Sequence, residues 1–166
     1  LTVDTTLTVE GDLSIDNDND ADEVAISGAS AINVGGDFGV ETCSENVATV
    51  APTGTITLNG TASEDQTFTQ PAGSDLTGAT LVIDTVSTQE TVLANAISVD
   101  ALTVNADSIL DSNDNDVTIT TAGAFTINGT VDPGNAKITA NSLVVGSDGL
   151  ITLDSDANEL EVTTTS

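Results

Sequence analysis

The residues with the most chemical potential in this chain are its carboxylates, and they come in clumps. Asp16, Asp18, Asp20, Asp22 and Glu23 fall within the stretch DNDNDADE. Asp111, Asp114 and Asp116 fall within DSNDND, and Asp154, Asp156 and Glu159 within DSDANE. Alternating Asp and Asn at this spacing suits a hard cation, because a tight loop can turn alternate oxygens toward one centre and calcium takes six to eight of them. These eleven residues are therefore the expected metal ligands, with calcium as the expected ion. The loop is not an EF-hand, since its sixth position is Ala21 rather than Gly and its twelfth is Ser27 rather than Glu. Two plainer readings stay open beside calcium. Asp and Asn favour turns for their own sake, and acids spread over a surface are an adaptation to salt.

Other chemistry is sparsely provided. The chain has no His, so it has no imidazole base and no Ser-His-Asp triad. Its single base is Lys137, so no guanidinium clamp exists for phosphate or carboxylate. Paired carboxylates can hydrolyse glycosides, but sugar sites generally offer aromatic platforms, and this chain has no Trp or Tyr. No enzymatic activity is expected. Cys43, the one cysteine, has no partner within the chain and is a candidate intermolecular disulfide. Twenty-seven acids against one base give a net charge of −26, which excludes nucleic acid and anionic membrane surfaces as partners. No run of about 20 apolar residues is present to insert into a membrane.

The elements that must position these acids repeat. LTVEGD begins at Leu7, INVGGD at Ile32, ITLNGT at Ile56, LVIDT at Leu81, LTVNAD at Leu102, FTINGT at Phe125 and LVVGSD at Leu143. The spacings are 25, 24, 25, 21, 23 and 18 residues, and self-similarity at such a period signals stacked units. Thr and β-branched residues dominate, which fits pleated strands rather than helices. Each unit reads as three short strands, for example Val24–Ile26, Ile32–Val34 and Phe38–Val40. The expectation is an all-β fold: a β-solenoid of about seven coils of 18–25 residues spanning 1–166 as one domain. Stretch 62–78 fits the repeat poorly and reads as an excursion. The alternative is a β-sandwich with donor-strand exchange, because Asn59-Gly60 and Asn128-Gly129 sit between alternating runs, which is a hairpin signal. The same two asparagines head Asn-Gly-Thr sequons and are possible glycosylation sites.

The segment from Asp116 to Ser155, DVTITTAGAFTINGTVDPGNAKITANSLVVGSDGLITLDS, resembles right-handed β-helices of the filamentous-haemagglutinin and autotransporter-adhesin kind. The resemblance implies a bacterial or archaeal surface protein and brings no shared catalytic residues.

On the solenoid reading the three acidic stretches occupy one slot and stack along one corner. Neither end carries a polar cap, since the chain opens on Leu1–Val3 and closes on Leu160–Val162. Leu1, Val3, Leu160 and Val162 are thus the expected seam between copies, joined head to tail into a homopolymer. Seven coils at about 4.8 Å each give an axial step of roughly 35 Å. The expected function is a structural subunit of an extracellular or cell-surface filament or sheath, stabilised by calcium. A stalk segment of a larger adhesin and an ice-binding solenoid are the alternatives. The last is suggested by Thr55–Thr57, Thr67–Thr69 and Thr118–Thr120, which nevertheless fall at different places in the repeat.

Overall fold

The computed structural model describes residues 4–16, 25–41, 49–61, 64–70, 75–86, 88–112, 118–152 and 159–162. Only the backbone is described for 15, 16, 25, 40, 41, 49, 50 and 159–162. Among the described residues the chain runs through β1 (Leu7–Val9), β2 (Leu13–Asp16), β3 (Ala25–Gly28), β4 (Ile32–Val34), β5 (Phe38–Glu41) and β6 (Thr49–Pro52). It continues with β7 (Thr55–Leu58), β8 (Gln66–Phe68), β9 (Leu76–Ile83), β10 (Glu90–Leu93), β11 (Ile97–Val104) and β12 (Ile109–Asp111). It ends with β13 (Thr118–Ile127), β14 (Thr130–Asp132), β15 (Lys137–Val145), β16 (Leu150–Ile151) and β17 (Glu159–Val162).

Every strand pairs with its counterpart one repeat away. One sheet runs β1-β4-β7-β9-β11-β13-β15-β17, a second runs β16-β14-β12-β10-β8-β5-β2, and β3 pairs with β6. Such non-consecutive, parallel stacking defines a β-solenoid. Among the described residues the repeat count differs slightly from seven even coils, with eight strands on one sheet and seven on the other.

The aligned apolar positions of the sequence form one ladder. Leu7 lies across from Ile32, Ile32 from Ile56, Ile56 from Leu81, Leu81 from Leu102, Leu102 from Phe125 and Phe125 from Leu143. Ile32, Ile56, Leu81, Leu102 and Phe125 are fully buried. Period-2 alternation turns the residues between them outward, so Thr8, Asn33, Thr57, Val82, Thr103, Thr126 and Val144 form an outer column on the same face. On the second face Phe38 stacks on Phe68 with ring centroids 5.0 Å apart and an angle of 15° between the planes. Each such buried side chain contributes about 1.5–3 kcal/mol. One core, built from all three faces, runs the length of the described coils.

Two expectations need correction. The β-sandwich alternative fails because every strand pair among the described residues is parallel, and Asn59-Gly60 and Asn128-Gly129 are solenoid corners rather than hairpins. At these corners the chain turns from one face to the next beside the coil below. A Cβ on Gly129 would stand 2.3 Å from the carbonyl oxygens of Asn105 and Ser108, so only glycine fits there. The three separate strands per repeat hold only for the early coils. In β9, β11, β13 and β15 the third and first faces merge into one long strand that bends without leaving the sheet. The bend shows as register shifts between Val99 and Ala101 and between Thr121 and Ala124. Within 62–78, Gln66–Phe68 is strand β8, in register with β10, and Leu76 begins β9.

Candidate functional site

An exposed acid can lie directly across from a backbone N–H that a sheet must satisfy, and the second face uses this device three times. Asp12 accepts the N–H of Asp37 at 2.9 Å, Asp37 accepts that of Thr67 at 2.7 Å, and Asp65 accepts that of Glu90 at 3.1 Å. Each acceptor is charged, which strengthens the bond. These carboxylates bind one coil to the next across 25 or 30 residues of sequence.

The same face carries an acidic ridge. Asp111 pairs with Asp132 in the ladder, and Val92 separates Asp111 from Thr67. Glu90 sits among them. Partial burial pushes its carboxyl above the ordinary range, with Asp111, Asp65 and Asp132 adding like-charge repulsion. On the third face the opposite case occurs. The Thr77 hydroxyl and N–H both donate to Asp75 and hold its carboxyl below the usual range.

Amides complete the ties between coils. Buried Gln66 donates its Nε2 protons to the carbonyls of Val34 and Gly36 and accepts the Gly60 N–H at 3.2 Å. The Asn95 amide donates to Gln70 O at 2.7 Å and its oxygen accepts the Gln70 N–H at 2.9 Å. Ser108 donates to Thr85 O at 3.0 Å, and Ser112 donates to Pro133 O.

The expected site residues divide by where they fall. Asp16 ends β2 across from Glu41 in β5, and Asp111 ends β12 beside Glu90. Glu159, Leu160 and Val162 lie in β17, across from Lys137, Ile138 and Ala140. Asn59 is exposed and Asn128 half-buried at the first corner. Asp18, Asp20, Asp22, Glu23, Asp114, Asp116, Asp154, Asp156, Cys43, Leu1 and Val3 lie outside the described residues. The segments holding those acids all depart from the second face, at β2, β12 and β16, and re-enter at β3, β13 and β17. Among the described residues no group of three or more acids converges as a metal site would. Of the ridge residues Asp65, Glu90, Asp111 and Asp132, only Asp111 is an expected site residue. Aligning the second strands of the repeats, rather than the first, is the signal that brings these positions together.

The fold and this ridge define a parallel β-solenoid whose coils are tied together by side chains as well as by backbone. No protein-family model matches the chain, and no curated protein and no solved structure is detectably similar to it.

Proposed function

We propose that the chain is a structural subunit of an extracellular or cell-surface filament or sheath, of the filamentous-haemagglutinin or autotransporter-adhesin kind. Copies join head to tail through the edges of their sheets, and calcium offsets the charge of the acidic corner. The observation that carries this reading is the contrast within the inward columns. Members in the middle coils are fully buried, whereas Leu7 and Leu13 at one end and Leu143 and Ile151 at the other are only partly buried. Val145, across from buried Ile127, is 47% exposed. Apolar residues and strand edges in this state favour another parallel strand laid upon them.

Electron microscopy of the purified chain, with calcium and after chelation, tests the reading. Filaments with an axial step of roughly 35 Å that fray on chelation are expected. Filaments indifferent to chelation would remove calcium from the proposal and keep the polymer. Isolated particles in both conditions would refute head-to-tail assembly. A native chain of much greater mass than 16.6 kDa would replace the seam between copies by a covalent stalk.

A further inference from the structure

The acids are sorted by face. The second face carries Asp12, Asp37, Asp65, Glu90, Asp111 and Asp132. The outer column of the first face, from Thr8 to Val144, carries no charge along its whole length. Its neighbouring positions on that face, Thr55, Thr80, Ala101, Ala124 and Ser142, are uncharged too. For a chain with a net charge of −26 this is a segregated surface. Acids such as Glu10, Asp84 and Asp100 lie beside its strands in sequence, outside the column, and Asp84 accepts a hydrogen bond from Asn105 Nδ2 at 2.7 Å.

From this sorting we propose that the outer surface of the first face is a lateral docking surface for a second copy of this chain. Electrostatics disfavours the second face and favours contact through an uncharged one. Two copies meeting through their second faces would set carboxylates against carboxylates. Meeting through their first faces puts each acidic ridge on the far side of a sheet-to-sheet spacing of about 10 Å. That exceeds the Debye length of about 8 Å at physiological ionic strength. Geometry selects the partner, because only another such solenoid repeats at the same coil spacing of about 4.8 Å along the contact. The side chains are short, so two such faces approach closely. Ice is a poorer match, since Thr55–Thr57, Thr67–Thr69 and Thr118–Thr120 lie on the first, second and third faces respectively.

The contact is small. Six coil spacings by about 10 Å of width give roughly 300 Å² per copy, against about 800 Å² per partner in a standard interface. A single pair of subunits therefore associates weakly. The contact becomes strong when it is repeated along an already lengthened rod, and in that respect it rests on the filament reading.

The test compares wild type with the double variant Thr57→Asp, Thr103→Asp, whose fold is checked by circular dichroism. Electron microscopy measures filament width and axial step in 0.5 M salt (about 4 Å of Debye screening). Paired, double-width filaments in the wild type and single-width filaments of unchanged step in the variant are expected. Single-width filaments in both overturn the lateral contact and leave head-to-tail assembly standing. If no filaments form, sedimentation at high protein concentration decides. A wild-type dimer lost in the variant keeps the lateral contact and refutes the filament, and monomers in both overturn the contact as well. Ice shaping by the wild type that the variant loses would assign the face to ice and overturn the proposal.

Discussion

Replacing Phe68 by Ala should do more than lower stability; it should divide the rod in two. Phe68 is fully buried and stacked on Phe38 at 5.0 Å. A buried Phe→Ala change costs about 3–5 kcal/mol, through lost transfer and the cavity left behind. Loss of the ring pair adds about 0.5–1.5 kcal/mol. The site of the loss matters as much as its size. Among the described residues of the second face β5 and β8 share one register pair, Phe38 with Phe68, whereas β2 and β5 share four and β8 and β10 three, and the first face adds only three between β4 and β7 across the same two coils. A solenoid's stability is approximately a sum of repeat terms and nearest-neighbour terms, so weakening the poorest interface should uncouple the coils on either side. Urea denaturation followed by circular dichroism should show two transitions in Phe68→Ala. Phe125→Ala, in the well-paired part of the first face, should show one transition shifted by a comparable amount. A single transition in Phe68→Ala displaced by less than about 1 kcal/mol, well under the range for core truncation, would refute the reasoning.

Two acids of the same face should respond in opposite directions. Glu90→Gln should raise the melting temperature at neutral pH and low salt, by an amount within the roughly 0.5 kcal/mol typical of surface changes. The folded-state pKa of Glu90 is raised, so its contribution is favourable when protonated and is lost as pH climbs through that value. The wild type should therefore gain stability relative to the variant as pH falls through the carboxylate range. Asp37→Ala also removes a negative charge, yet should destabilise by about 0.5–1.5 kcal/mol because the exposed Thr67 N–H exchanges a fixed acceptor for water; an increase in melting temperature would contradict the proposed tie. Gly129→Ala should cost about 1–3 kcal/mol through overpacking against two backbone carbonyls, and an unchanged denaturation midpoint would sink that assignment. Chelation should lower the melting temperature of calcium-treated protein, and identical melts with and without chelator would exclude a structural ion.

The register of the first face was legible residue by residue. Leu7, Ile32, Ile56, Leu81, Leu102, Phe125 and Leu143 each open an apolar-x-apolar motif because their inward columns admit only apolar side chains. The merging of faces in β11 and β13 was not legible. Asp100 and Gly123 look like turn residues, but here they sit at register shifts inside a strand whose pairing resumes on either side of them. Strand β8 is hidden in the sequence because Gln66 holds an inward position. Polar in sequence, it is 2% exposed and satisfied by Val34, Gly36 and Gly60 from other segments. The acids were legible only where they clump. Asp12, Asp37 and Asp65 stand apart in the sequence, and their partners lie 25 or 30 residues on.

Parallel stacking has a mechanical corollary. The backbone hydrogen bonds between coils run along the rod, so a pull on its ends loads them end-on. Every interface then carries the same force, and the chain yields first where fewest bonds share it. Among the described residues the first two faces of the second and third coils share the fewest register pairs, one between β5 and β8 and three between β4 and β7, which places the yield point at that boundary. Under tension the molecule should behave as a fuse with a set position, parting there while the densely paired stretch from β11 to β15 stays wound.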